Sequence, residues 1–139
     1  MNKVVATTAL LLLALVPSCH SAQWSVCPGY TDAKLKITNV SFNPTAIAVK
    51  KKISVTVEGT AIQSDSQKAV EIEIGQNDLL LDSLEVGGPY SIDPKNSYKY
   101  TFDFTLQNGD YPAGSYDILF SIKNSNDEKV TCFKSNFKI

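Results

Sequence analysis

Apolar and polar residues alternate with a period of two along most of this chain. Six segments show the alternation, and they span Leu35–Phe42, Ile53–Val57, Val70–Ile74, Tyr98–Leu106, Tyr116–Ile122 and, less regularly, Val130–Ile139. Successive side chains of a β-strand point to opposite faces of the sheet, so this pattern predicts strands that bury one face and expose the other. Short stretches rich in Gly, Asn, Asp and Pro separate the segments and predict turns.

One segment is ambiguous, and no segment predicts a long helix. Leu79–Val86 contains four leucines, which suit either a short helical turn or a buried strand. With this segment the chain has about seven or eight strands, each with one apolar face. Two antiparallel sheets packed face to face bury such faces best, so the fold class is predicted to be all-β, a β-sandwich. It is not an ordinary immunoglobulin domain, because Trp24 precedes both of the cysteines that could pair and these lie too far apart.

The N-terminus has the layout of a secretory signal peptide. A basic start at Lys3 precedes 13 apolar or small residues, Val4–Val16, and then a group of small residues. An apolar run of this length is shorter than the roughly 20 residues that a membrane-spanning helix needs. We predict a signal peptide at residues 1–21 and one domain at residues 22–139, with cleavage after Ser18 or Ala22 as alternatives.

The cysteines predict one disulfide. Cys19 would leave with the signal peptide, so Cys27 and Cys132 remain as an even pair in an oxidising compartment. Their bond would close a loop of about 105 residues, which the chain-entropy model credits with roughly 4 to 5 kcal/mol. In an alternative reading, Val16–Cys19 imitates the acylation site of bacterial lipoproteins. The chain would then be a non-catalytic structural or adhesion module that is lipid-anchored at Cys19.

Composition argues against several functions. The predicted mature part holds 12 lysines, no arginine and 14 acidic residues, which disfavours a nucleic-acid partner. Its lack of histidine removes the usual catalytic base and, with the cysteines bridged, the usual zinc ligands. We therefore expect no enzyme activity, no metal site and no cofactor. Glu71 and Glu73 share one strand face and are interpreted as solvated rather than as a catalytic pair.

Three further features allow weaker predictions. The run Lys50–Lys52 could attract anionic lipid headgroups, but a solvated turn is the simpler interpretation. The stretch Asn124–Glu128 lacks the glycine and the distant glutamate of a calcium loop, so it is interpreted as a hairpin loop. Asn39 begins an Asn-x-Ser sequon and is a candidate glycosylation site.

A stripe of aromatic residues provides more bulk than a thin sandwich needs. It contains Tyr98, Tyr100, Phe102, Phe104, Tyr116 and Phe120 on two predicted strands. Taken alone, such a stripe usually forms ordinary core.

The order of motifs along the whole mature chain resembles the ML lipid-recognition family, in particular the phosphatidylglycerol/phosphatidylinositol transfer proteins and the Niemann-Pick sterol carrier. The opening Trp24–Cys27 and the strand Leu35–Phe42 carry the resemblance at one end. At the other end it is carried by Tyr111–Tyr116, Val130–Phe133 and the closing Phe137–Ile139.

This resemblance implies an immunoglobulin-like β-sandwich that admits a lipid between its two sheets. The ligand would be a sterol, phosphatidylglycerol or phosphatidylinositol, held in a slot whose predicted lining is Phe102, Phe104, Ile118, Phe120 and Tyr100. The mouth is predicted near Val86–Tyr90, where Gly87 and Gly88 permit movement and Val86 and Tyr90 contact the ligand. We also expect a monomer in the secreted space or the endolysosomal lumen, with transient contact to membrane surfaces.

Overall fold

The computed structural model describes residues 22–30, 34–62, 65–87, 90–92, 97–107 and 111–139, and for residues 65–68 and 90–92 it describes the backbone alone. The predicted signal peptide 1–21, the alternative anchor Cys19 and the predicted hinge Gly88 lie outside these ranges. Nothing about them is tested by the fold.

Nine strands form in the described part of the chain, and seven of them have eight residues or more. They are β1 (Trp24–Val26), β2 (Leu35–Asn43), β3 (Lys52–Ala61), β4 (Asp65–Gln76), β5 (Leu79–Val86), β6 (Tyr90–Ile92), β7 (Ser97–Thr105), β8 (Ser115–Asn124) and β9 (Lys129–Lys138). The alternating segments of the sequence all fall within these strands or extend one residue past them.

The strands form two antiparallel sheets. The large sheet has the order β1-β9-β8-β4-β5, with the short β6 also paired to β4, and the small sheet has the order β2-β3-β7. Their apolar faces pack on each other and bury one continuous core. The predicted all-β, immunoglobulin-like sandwich is confirmed.

The ambiguous segment Leu79–Val86 is the strand β5, so the helical alternative is wrong. The expectation that it would be a buried strand is also wrong for its first three residues. Leu79, Leu80 and Leu81 are 63%, 57% and 42% exposed, because β5 is an edge strand and a β-bulge opposite Gly75 turns its start away from the core.

Two hairpins follow from their turn residues. Asn77 and Asp78 have φ angles of 52° and 62°, the positive values of a type I′ turn, and this two-residue turn joins β4 to β5. Between β8 and β9 the Asn124 side-chain oxygen accepts hydrogen bonds from the backbone N–H groups of Asn126 and Glu128, each at 3.0 Å. The prediction of a hairpin loop at Asn124–Glu128 is confirmed.

The predicted disulfide is present. Cys27 follows β1 and is bonded to Cys132 in β9, with 5.3 Å between their Cα atoms. The Cys27 N–H also donates to the Cys132 carbonyl at 3.0 Å. The bond therefore fastens the start of the domain to its last strand, as the sequence predicted.

The outer face of the large sheet carries a cluster of charges. The Lys129 ammonium lies 3.2 Å from carboxylate oxygens of both Glu71 and Glu73, and Lys123 lies 3.4 Å from Glu71. Partial burial opposes ionisation of Glu71, but the two ammonium groups outweigh it and lower its pKa. Glu71 and Glu73 thus belong to an ion-pair network on a solvent-facing surface, as their strand positions indicated.

The lysine run is an exposed turn that leads into β3. Lys50 has a φ of 60° and its N–H donates to the Leu106 carbonyl at 2.9 Å. Lys52 begins the strand and its ammonium lies 2.6 Å from Asp103 on the neighbouring β7. Across the described ranges the chain forms no helix with the length and hydrophobicity needed to cross a bilayer.

Candidate functional site

The four residues predicted to line the slot face one another across the sandwich. Phe102 and Phe104 lie on the inner face of β7 in the small sheet, whereas Ile118 and Phe120 lie on the inner face of β8 in the large sheet. All four are at most 4% exposed. The period-two pattern placed them on inner faces, and the fold brings them together in one core.

Phe120 is the centre of an aromatic cluster at the middle of the sandwich. Its ring centroid lies 5.5 Å from that of Phe104, 6.0 Å from Phe102 and 6.0 Å from Phe42, all of which belong to the small sheet. On its own sheet it stacks on Phe133 at 4.7 Å. At this level the two sheets are in direct contact, and edge-to-face and stacked rings of this kind stabilise a packed core.

The aromatic row on β7 continues from this cluster towards the start of the strand. The ring of Tyr100 lies 6.1 Å from Phe102, and the ring of Tyr98 lies 6.1 Å from Tyr100. Tyr100, a predicted lining residue, is buried. Tyr98 is half-buried and packs on the same core.

The hydroxyl of Tyr98 is a buried polar group that has no hydrogen-bond partner among the residues that the structure describes. It lies directly over Gly59 of β3, where a Cβ atom would come within 2.6 Å of it and would also collide with the Lys36 carbonyl oxygen of β2. The absence of a side chain at Gly59 therefore lets the Tyr98 ring reach across β3 towards β2. Burial raises the pKa of the Tyr98 hydroxyl far above that of an exposed tyrosine.

A second partnerless hydroxyl belongs to the large sheet, at the same end of the sandwich as Tyr98. The Thr131 side chain of β9 is 1% exposed, and within the described part of the chain its hydroxyl makes no hydrogen bond. Thr131 pairs with Ile122 near the end of β8, and β9 is the strand of the large sheet that approaches β2. We call this part of the sandwich the Tyr98 end. It is where β5 stops and β7 begins, and its defining residues are Gly59, Val86, Tyr98 and Thr131.

Two buried hydroxyls without partners are costly for a sandwich of this size. A buried group that has lost its water and found no replacement costs about 1 to 3 kcal/mol. Sequence reasoning did not find this pair. The alternation placed Tyr98 on the inner face, but no sequence signal shows that its hydroxyl and that of Thr131 lack partners.

The opposite end of the sandwich satisfies its hydroxyls. The Tyr111 hydroxyl donates to the Asp82 carboxylate at 3.1 Å, and the Tyr116 hydroxyl donates to the Pro112 carbonyl. Burial, the bond to Asp82 and the Asp82 charge raise the pKa of Tyr111 to about 12. We call this the Tyr111 end and define it by Asp82, Tyr111, Tyr116 and Phe137.

The residues of the predicted mouth lie at the Tyr98 end, and a mouth at this place stays a prediction. Val86 is half-buried and packs on the core, and Gly87 has a φ of 99°, a value that favours glycine. The backbone of Tyr90 lies in β6 and pairs with Gln67, whereas its side chain is outside the described part. A ligand contact by Val86 or Tyr90 stays a prediction.

The candidate glycosylation site is accessible. Asn39 is exposed, and its amide nitrogen donates to the Glu58 carboxylate at 3.0 Å. This bond, together with Lys99, lowers the pKa of Glu58. Modification of Asn39 stays a prediction. No group of three or more His, Cys, Asp or Glu side chains is placed to hold a metal ion in the ranges that the structure describes.

Comparison with known proteins gives two kinds of finding. A Niemann-Pick type C2 protein from the Japanese carpenter ant is 18% identical, with a TM-score of 0.56 over 76% of this chain and 92% of that one. The C-terminal domain of wzt has a TM-score of 0.57 at 12% identity, covering 84% and 77%, and the sporulation control protein Spo0M from Bacillus subtilis has 0.51 at 14%, covering 76% and 48%. At these identities the likenesses show the fold alone.

No match was found among the curated proteins. The family comparison is decisive, however, since the model of the ML domain matches residues 21–139 and so spans every strand described above. The chain belongs to the ML-domain family.

Proposed function

We propose that this protein binds a lipid, a sterol or a phospholipid, between its two sheets and transfers it between membranes. Membership of the ML-domain family and the predominantly apolar inner faces support the proposal. The observation that carries it is the pair of partnerless hydroxyls, Tyr98 and Thr131, beside this apolar interior. Together they provide what a lipid needs, which is a long apolar surface with polar groups at one end.

The ligand enters at the Tyr98 end in this proposal. The Phe120 cluster holds the sheets together at the middle of the sandwich, so the apolar part of the lipid has to displace some of its ring contacts. Phe102, Phe104, Ile118, Phe120 and Tyr100 then contact the lipid instead of one another. Exchange of one apolar contact for another of similar area has a small net cost, so the sheets can separate and close again.

The energy balance suits a carrier. Burial of each methylene group from water contributes about 0.8 kcal/mol, so an acyl chain or a sterol is held strongly against loss to water. A bilayer offers the same ligand an equally apolar environment. The transfer from membrane to protein is therefore close to balanced, and the protein can both take up and release its cargo without a catalytic group.

The hydroxyls of Tyr98 and Thr131 would bind the polar part of the ligand. The Tyr98 hydroxyl is a neutral hydrogen-bond donor at physiological pH, and burial raises its pKa further above that range. A sterol hydroxyl or an ester carbonyl of a phospholipid is a neutral group that can accept this hydrogen bond. Each such bond removes an unpaired buried group and so stabilises the loaded form.

The proposed cellular location is based on the disulfide and the sequence. The Cys27–Cys132 bond fits a protein that folds in an oxidising compartment, so the proposed location is the secreted space or the endolysosomal lumen. We propose a monomer that contacts membrane surfaces transiently through its Tyr98 end.

Native mass spectrometry of the protein purified from its own source tests the proposal. We expect a bound species with the mass of one lipid, identified by organic extraction. Purified protein should also take up dehydroergosterol or a fluorescent phosphatidylglycerol from neutral vesicles. Empty protein that takes up neither probe contradicts the proposal.

A pair of variants locates the ligand. Tyr98→Phe combined with Thr131→Val removes both partnerless hydroxyls and keeps the shape, and Tyr111→Phe is the matched control at the other end. We expect the double variant to weaken uptake by roughly fivefold for each lost hydrogen bond, and the control to leave it unchanged. Equal uptake by all three proteins would exclude the Tyr98 end as the binding site.

A further inference from the structure

A groove on the outer face of the large sheet lies outside the proposed lipid slot. Leu80 of β5 and Leu119 of β8 form its two sides, and Gly75 of the intervening β4 forms its floor. Its volume is about 190 Å³, whereas sites for drug-sized ligands hold roughly 300 to 1,000 Å³. The groove is therefore large enough for a side chain and too small for a whole lipid.

The groove follows from two local features of the sequence. Gly75 has no side chain, so the sheet surface between Leu80 and Leu119 is depressed. The β-bulge beside Gly75 and the turn at Asn77 and Asp78 place Leu79, Leu80 and Leu81 in solvent. Consecutive exposed leucines on an edge strand are an aggregation hazard, and soluble proteins usually keep such a patch for a partner.

The charge around the groove selects its occupant. Asp78 and Asp117 line it, and within the described residues neither carboxylate forms an ion pair. Glu73, also in the lining, is paired with Lys129. Lys134 is the cross-strand neighbour of Leu119 on the same face, so one lysine stands against these two aspartates and the charge around the groove remains net negative. A complementary occupant would place an apolar side chain between Leu80 and Leu119. It would also place a lysine or arginine near each of the two aspartates.

We infer that this groove, named here the Leu80 groove, docks a partner protein through an exposed apolar side chain flanked by lysine or arginine. A membrane surface fits less well. The aspartates repel the anionic lipids that attract peripheral proteins. The groove also lies at the opposite end of β5 from Val86, six residues and roughly 20 Å away, so membrane contact here would leave the Tyr98 end away from the bilayer.

Titration of ¹⁵N-labelled protein with a short peptide tests this inference. The probe is the acetylated and amidated peptide Gly-Lys-Leu-Leu-Lys-Gly, and the control peptide has glutamate in place of both lysines. We expect the lysine peptide to shift the amide signals of Gly75, Leu80 and Leu119 with an affinity of roughly millimolar order, and the glutamate peptide to leave them unchanged.

Three variants sharpen the test. Leu80→Ser removes one side of the groove and should lower the affinity for the lysine peptide roughly tenfold. Asp117→Asn should lower that affinity roughly threefold. Ile62→Ser is the matched control, because Ile62 is 66% exposed and lies outside the groove lining. It should bind as the original protein does. All three positions are exposed, and thermal unfolding confirms that each variant is folded.

Three results would overturn the inference. One is the absence of shifts at the groove, or equal shifts with both peptides. Another is binding to phosphatidylcholine or phosphatidylglycerol vesicles that Leu80→Ser abolishes, which would make the patch a membrane contact. The third is self-association that Leu80→Ser abolishes, which would assign the groove to a second copy of the chain. None of these bears on lipid uptake at the Tyr98 end.

Discussion

The two ends of the sandwich use tyrosine in opposite ways. At the Tyr111 end the hydroxyls of Tyr111 and Tyr116 bond to Asp82 and to the Pro112 carbonyl, and their rings pack against Phe137. At the Tyr98 end a tyrosine hydroxyl is buried over Gly59 and makes no hydrogen bond to any residue in the described ranges. Internal polar groups stabilise a fold when they are paired and destabilise it when they are not.

This difference suggests that the two ends of the sandwich have different roles in lipid binding. The Tyr111 end is also joined by reciprocal backbone hydrogen bonds between Gly114 and Ile139, which close it further. The Tyr98 end retains unsatisfied groups that a ligand can pair. One end of the sandwich would therefore keep the sheets together, while the other would allow them to part around a lipid.

The largest expected effect comes from filling the space under Tyr98. Gly59→Ala would push a methyl group into the Lys36 carbonyl and the Tyr98 hydroxyl, so we expect it to lower the free energy of unfolding by about 3 kcal/mol. Gly75→Ala is the matched control, since its methyl group would meet only the Leu79 carbonyl, at 3.1 Å. It should cost less than about 1 kcal/mol. Urea denaturation measures both, and equal effects would mean that Tyr98 is not closely fitted to Gly59.

The same substitution at the two tyrosines should have opposite results. Tyr111→Phe removes a hydrogen bond to a carboxylate and should lower the free energy of unfolding by about 1 kcal/mol. Tyr98→Phe removes an unpaired buried hydroxyl, so lipid-free protein should be as stable as the original or slightly more so. A loss of stability at Tyr98 equal to that at Tyr111 would show that its hydroxyl is paired.

Alkaline pH should weaken the fold through both tyrosines. The pKa of Tyr111 is raised from 10 to about 12 and that of Tyr98 is also raised. Below about pH 10 both groups are neutral whether the chain is folded or unfolded. Above it the unfolded chain ionises first, so stability falls as the pH rises from 10 towards 12. Denaturation at pH 8 and pH 11 should show a smaller alkaline loss in Tyr111→Phe and in Tyr98→Phe than in the original protein. An unchanged loss would contradict the raised pKa values.

The smallest expected effect lies on the outer face, away from both ends. Glu71→Gln breaks ion pairs to Lys123 and Lys129 and should cost about 0.5 kcal/mol near neutral pH. The pKa of Glu71 is lowered by folding, so its contribution is present above about pH 4.5 and is lost as the pH falls below it. The difference in stability between the two proteins should shrink as the pH falls well below this lowered pKa. A difference that persists there would have to come from packing rather than charge.

The sequence predicted the fold because the alternation is repeated in six of the seven strands that have eight residues or more. Phe102 and Phe104, like Ile118 and Phe120, occupy every second position of a strand, and this alone predicts that they lie on inner faces. The disulfide followed from the two cysteines that remain once Cys19 is assigned to the predicted signal peptide. The start of β5 could not be predicted, because Leu79, Leu80 and Leu81 are exposed by a bulge and an edge position, which depend on the pairing of β4 with β5.

The candidate site was predicted only in its apolar part. Whether a hydroxyl has a partner depends on three-dimensional neighbours, so neither Tyr98 nor Thr131 could be identified as unpaired from residue types. The importance of Gly59 likewise depends on the Tyr98 ring that crosses it. Residue periodicity reports which face a side chain occupies and does not report what it meets there.

Hydrogen–deuterium exchange with and without dehydroergosterol or phosphatidylglycerol tests the asymmetry of the two ends most directly. Lipid should change exchange at the amides of Gly59, Tyr98 and Thr131 and leave the reciprocally bonded Gly114 and Ile139 unchanged. No change anywhere, or a change confined to Gly114 and Ile139, would contradict lipid entry at the Tyr98 end.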